Sequence, residues 1–152
     1  MKRIEYKTID KSDWGAGPWQ SEPDKIQWRD EATGLPCLMV RARSHWCGYA
    51  GVPASHPDYG KGYDDVPVDV HGGLTFADKC RPGAEDHSVC HVVEEGEDDN
   101  VWWLGFDCAH GGDMCPGRPG FPQFGEEVYR DQAYVADQVA NLAAQLKSRA
   151  TP

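Results

Sequence analysis

The sequence predicts an α+β fold, a small twisted and mainly antiparallel sheet with one long C-terminal helix packed on it. Three observations carry that prediction. Short apolar stretches rich in β-branched and aromatic residues recur through most of the chain, punctuated by 17 glycines and 11 prolines in 152 residues. Two of these stretches flank turn signals and read as hairpins. A single stretch near the C-terminus instead repeats its apolar residues at helical spacing.

Taken in order, "KIQWRDEATGLPCLMVRA" (25–42) is a hairpin turning at Ala32-Thr33-Gly34. "WCGYAGVP" (46–53) is a glycine-punctuated strand that stops at Pro53. The following "ASHPDYGKGYDDVPVD" is loop, restricted by its X-Pro pairs. "VDVHGGLTFA" (68–77) reads as a strand, a glycine break and a second strand. "SVCHVVEEGEDDNVWWLGFD" (88–107) reads as a second hairpin with an acidic, solvated tip from Glu94 to Asn100. After the "PGRPGFPQFG" loop, a helix is expected from about Glu126 to Ser148, with Val128, Val135, Val139, Leu142 and Leu146 on its apolar face. Acidic residues near its start and Lys147 and Arg149 near its end suit the helix dipole. With no repeat and no linker, residues 1–152 are expected to form a single domain.

Composition narrows the function. A formal charge of −10 disfavours nucleic-acid binding, which needs clustered lysine and arginine. No apolar run is long enough for a signal peptide or a membrane span, so a cytoplasmic protein is expected, with no membrane partner. The six cysteines are then expected to be thiols or metal ligands, with disulfides only outside a reducing compartment. Cys80, His87, Cys90, His91, Cys108 and Cys115 offer donors for a structural zinc, but no C-x-x-C occurs and the spacings are wide.

The candidate chemistry lies at strand ends. In "VWWLGFD", Trp102, Leu104 and Phe106 share a core face, while Val101, Trp103, Gly105 and Asp107 share the other. That second face suggests a pocket rim at Asp107 with Trp103 as its wall and Gly105 leaving room for a ligand. Asp107 and His110 form D-x-x-H, with Asp113 just beyond. In "DVHGGLTFA", His71 follows Asp69 by two residues, which on a strand lets Asp69 orient it. Two His-Gly-Gly elements, His71-Gly72-Gly73 and His110-Gly111-Gly112, therefore sit near presumed strand ends.

His71, Asp107 and His110 either bind a divalent metal such as zinc or do acid–base work, with Asp113 as a further catalytic group. The bland alternatives are an Asp satisfied by turn amides beside an exposed His for Asp107 and His110, and a His capping a turn for His71. In the metal version Asp113 or His56 moves the proton. Cys47, His71 and Asp107 could also supply a thiol nucleophile, its base and a carboxylate, although a buried strand cysteine is more often a small hydrophobe.

The expected function is hydrolysis of a small polar or phosphorylated, nucleotide-like substrate. The competing expectation is a binding protein without turnover, which sequesters a nucleotide-like ligand or blocks a host protein. There Tyr49, Tyr59 and Trp103 would stack on the ligand, His56 would contact it, and the Gly72-Gly73 backbone would approach its phosphates.

"CGYAGVPASHPDYG", "DVHGGLTFA", "CHVVEEGEDDNVWWLGFDCAHGGD" and "YRDQAYVADQVANLAAQL" resemble a family of small proteins of bacteriophages and bacteria, over roughly residues 35–147. The resemblance implies a phage-type accessory protein in the host cytoplasm, acting on host metabolism or defence. It carries over no activity and no catalytic residue.

Overall fold

The computed structural model describes residues 1–81, 83–117 and 127–150. Six strands form one sheet: β1 (Ile4–Tyr6), β2 (Lys25–Arg29), β3 (Pro36–Ala42), β4 (His45–Pro53), β5 (Phe76–Lys79) and β6 (Val101–Asp107). Their spatial order is β1-β2-β3-β4-β6-β5, and every neighbouring pair is antiparallel. One helix, α1 (Gln132–Ala150), lies against β3 and β4. This is the α+β architecture expected from the sequence. No helix among the described residues is long and apolar enough to cross a membrane.

Strand alternation explains why α1 docks where it does. Met39 of β3, Trp46 and Ala50 of β4, and Leu104 and Phe106 of β6 point to one face. They meet Val135, Val139, Leu142, Ala143 and Leu146, which recur at helical spacing and are all buried. Burying each large apolar side chain contributes roughly 1.5–3 kcal/mol, so this layer is a major source of the fold's stability.

The opposite face is also core, which overturns the reading of Trp103 as a pocket wall. Leu38, Val40, Cys47, Tyr49, Val101 and Trp103 form a second buried cluster, with Phe76 and Val89 against it. Trp103 has no exposed surface and Tyr49 is 7% exposed, so neither is available to stack on a ligand. Gly105 leaves room for Tyr49 rather than for a ligand: a Cβ there would sit 2.2 Å from the Tyr49 ring.

The predicted second hairpin does not form, because β6 pairs with β4 and β5. Residues 88–93 instead run beside β2, whose polar side chains hold them. Lys25 donates to the carbonyls of Glu85 and Cys90, and Gln27 exchanges hydrogen bonds with the backbone of Val92. A disulfide joins Cys80 to Cys90. The expectation that all six cysteines are thiols or metal ligands is therefore corrected for this pair. Cys37, Cys47, Cys108 and Cys115 are buried and outside any disulfide.

The helix begins at Gln132, later than the expected 126. Asp131 supplies the cap, its carboxylate accepting the Tyr134 N–H at 2.9 Å while its carbonyl accepts from Val135. Glu126 lies outside the described residues. Val128 is not on the helix; it is 48% exposed and forms an isolated parallel bridge with Asp113. Near the same end lies a buried charged cluster that the sequence did not announce. Glu22 accepts from Arg41 at 2.9 Å and from the Gln132 N–H at 2.7 Å, while Asp24 accepts from Lys11 at 2.6 Å and from Arg41 at 3.2 Å. Each charge is paired, as burial requires.

The stretch Val68–Val70 also departs from expectation: it is not part of the sheet. Helix side chains satisfy its backbone instead. Gln145 donates to the Asp69 carbonyl and accepts its N–H, Asn141 donates to the same carbonyl, and Gln138 accepts the His71 N–H. This polar stripe on α1 lays the extended segment along the helix and delivers His71 to its first turns.

Candidate functional site

Both His-Gly-Gly loops converge at the end of β6 beside the start of α1. The His71 and His110 ring centroids are 6.1 Å apart. Gly72 permits the approach. Its φ of +68° suits glycine, and a Cβ there would lie 2.4 Å from the His110 ring.

Asp113 organises the site. The Asp113–Val128 bridge fixes its backbone, and its side chain is 1% exposed. The carboxylate accepts from His71 Nε2 at 2.8 Å, from Arg130 Nε at 2.9 Å and from the His110 N–H at 3.1 Å. Burial by itself would raise its pKa, but the bonds from His71, Arg130 and His110 outweigh that and hold it below the usual carboxylate range. An ionised carboxylate only accepts, so it fixes the His71 proton on Nε2. In the neutral ring the other nitrogen, Nδ1, is then the acceptor and faces the Tyr134 hydroxyl at 2.8 Å. Arg130 also lies over the Tyr134 ring, 4.9 Å from its centroid. The result is a continuous Asp113–His71–Tyr134 relay.

A second pair stands beside it. His110 Nε2 is 2.8 Å from Asp107 Oδ1, yet its geometry does not make a hydrogen bond and this buried atom has no hydrogen-bond partner among the described residues. The nitrogen's hydrogen-bonding capacity is therefore unspent. Asp107 also accepts from the Thr75 hydroxyl at 3.3 Å.

The predicted residues divide accordingly. His71, Asp107, His110 and Asp113 come together, with Gly72 as a spacer and Gly73 in the adjoining turn. Asp69 does not orient His71, because it is exposed and Asp113 has that role. His56 is elsewhere: its Nε2 donates to the Leu146 carbonyl at 2.7 Å and its Nδ1 accepts the Asp58 N–H at 3.0 Å. It caps the far end of α1, about 18 Å along the helix from Tyr134. Tyr59 packs on Trp102, roughly 17 Å along β6 from Asp107. The Cys47 thiol is buried and pushed up to about 12 by that burial, which makes it a poor nucleophile, and both His71 ring nitrogens are engaged elsewhere.

The tentative metal set of His71, Asp107 and His110 is brought into one neighbourhood, with the two rings 6.1 Å apart and Asp107 beside His110. Among the described residues no three His, Cys, Asp or Glu side chains are grouped to hold an ion. His71 spends both nitrogens on Asp113 and Tyr134, so a metal would have to displace one of them. The hydrogen-bonded chain from Asp113 through His71 to Tyr134 has the donor and acceptor order that proton transfer needs.

Two members of the site, Tyr134 and Arg130, were missed in the sequence. The signal for Tyr134 was present. Tyr134, Gln138, Asn141 and Gln145 recur at spacings of four, three and four, a polar stripe on an otherwise amphipathic helix. Arg130 has no such pattern, since it precedes the helix and meets Asp113 only through the tertiary fold.

Comparisons with models of known families, with curated proteins and with solved structures find no significant match.

Proposed function

We propose that this protein is a hydrolase that acts on a small polar substrate by acid–base chemistry at the Asp113–His71–Tyr134 relay, with His110 and Asp107 as a neighbouring pair. The observation that supports this reading most is the state of His71. A buried, ionised carboxylate fixes its tautomer, and its remaining nitrogen faces a hydroxyl. That is the arrangement of a general base whose proton acceptor is held in place. The stacking surface expected of a non-catalytic binding protein loses Trp103 and Tyr49 to the second core. For the setting, the Cys80–Cys90 disulfide weighs against a reducing cytoplasm.

The test is a panel of chromogenic carboxylic, phosphoric and glycosidic esters, assayed with the wild type, His71→Ala and Asp113→Asn. General acid–base catalysis contributes about 10²–10⁴-fold, so His71→Ala should lower the rate on the accepted substrate at least about 100-fold. Equal rates for wild type and both variants, or no turnover across the panel, would remove the proposal. A bound small molecule recovered intact after long incubation would support the binding reading instead.

A further inference from the structure

Building on the acid–base reading, we propose that Tyr134 is the nucleophile of the site and is transiently acylated by an activated, uncharged acyl donor such as an aryl ester or a thioester. Tyr134 is the only tyrosine among the described residues whose hydroxyl meets an imidazole. Its position is set by structure around it: its N–H is bound by the Asp131 cap, and it stands in the first turn of a 19-residue helix. The His71 nitrogen it faces is the one Asp113 leaves unprotonated. The Arg130 guanidinium over the ring stabilises the negative charge that develops as the phenol ionises. By contrast, Tyr49 is buried and Tyr129 half-buried, with ionisation of both disfavoured chiefly by that burial, and the Tyr59 hydroxyl bonds to Asn100.

The step balances within these residues. His71 Nδ1 takes the phenolic proton as Tyr134 Oη bonds to the acyl carbon. The bond to the leaving thiolate or phenolate breaks, and His71 returns the proton to that leaving group. Water then attacks the tyrosyl ester with His71 as base, the carboxylic acid departs, and the Tyr134 hydroxyl is re-formed. Two features choose the substrate. A phenolate is a better leaving group than an alkoxide, so acyl transfer from a simple alkyl ester runs uphill, whereas transfer from a thioester or aryl ester does not. Asp107 and Asp113 outnumber the one arginine, and this local negative charge repels a phosphate dianion.

The experiment uses the whole chain with p-nitrophenyl acetate, and separately with an arylsulfonyl fluoride that traps base-activated phenols. Acid quench and peptide mapping then locate the label. The expected result is at least ten-fold more label on Tyr134 than on the exposed Tyr63, lost in Tyr134→Phe and reduced ten-fold or more in His71→Ala. Asp113→Asn should reduce it too, and thermal melts establish that each variant is folded. Even labelling of Tyr63 and Tyr134, or labelling of Tyr134 that ignores His71, would overturn the proposal. Wild-type ester hydrolysis in Tyr134→Phe would sink the nucleophile and leave the acid–base hydrolase standing. A stable Tyr134 adduct with no turnover would leave the nucleophile standing and sink the hydrolase.

Discussion

Replacing Gly72 with alanine tests the meeting of the two histidine loops, and Gly73→Ala supplies an internal control. Both positions have left-handed backbone, at φ +68° and +81°. An alanine pays about 1–2 kcal/mol there, offset by about 0.4–1 kcal/mol from the reduced freedom of the unfolded chain. From the backbone alone each variant should therefore lose about 1 kcal/mol, which in a chain of this length lowers Tm by roughly 2–4 °C. The two differ in what the new methyl meets. At Gly73 nothing lies within 4 Å, whereas at Gly72 the His110 ring lies at 2.4 Å. To restore ordinary contact the ring must retreat by about 1 Å, which ends its 2.8 Å approach to Asp107. The backbone bond from His110 to Asp113 and the His71–Asp113 bond do not pass through that ring, so they should survive. Imidazole ¹H–¹⁵N spectra and thermal melts of both variants provide the assay. The expected result is a moved His110 signal in Gly72→Ala alone, with His71 unmoved in both. If the two variants perturb His110 equally, the close contact of the loops is refuted.

Other consequences follow from the same geometry. Asp113→Asn leaves Arg130 and His71 without their shared anion, and breaking this part-buried pair should cost about 1–3 kcal/mol, read as a fall in the denaturant midpoint; no measurable loss would contradict the pairing. Asp58 is buried and its carboxyl is held near 2, chiefly by the hydrogen bond from Arg149 and also by Lys61, against the opposing effect of burial. Its folded pKa lies below the unfolded value near 4, so this stabilisation is present above about pH 4 and fades as pH falls toward 2. The Tm gap between wild type and Arg149→Ala should accordingly close over that window, and a constant gap would count against the pair. Opening the Cys80–Cys90 disulfide, whose cysteines are 10 residues apart, should cost about 2–3 kcal/mol on chain-entropy grounds. A non-reducing peptide map should show this link, and melts of Cys80→Ala/Cys90→Ala should show the loss. Gly105→Ala drives a methyl into the Tyr49 ring and should destabilise the fold by about 1–3 kcal/mol, whereas an open pocket at that face would tolerate it.

Local pattern determined much of this molecule. The 25–42 hairpin, the strand ending at Pro53 and the amphipathic face of Val135, Val139, Leu142 and Leu146 were legible, because side-chain period reports which face is buried. The same pattern placed Asp107 at a strand end and flagged the paired His-Gly-Gly elements. Alternation cannot say what covers a face, however. Trp103 and Gly105 looked like the lining of a pocket until Leu38, Val40, Tyr49 and Val89 closed over them. Nor does it choose between partners of equal chemistry. Asp69 is near His71 in sequence, but Asp113 is its partner, because the bridge to Val128 holds that loop against the helix start. His56 had the residue type of a proton carrier and became a helix cap, since the carbonyl of Leu146 reached it first. Residue types and strand ends are local properties that a chain carries in its order. The assignment of each donor to its acceptor is a long-range competition, and only the folded arrangement of sheet, loops and helix decides it.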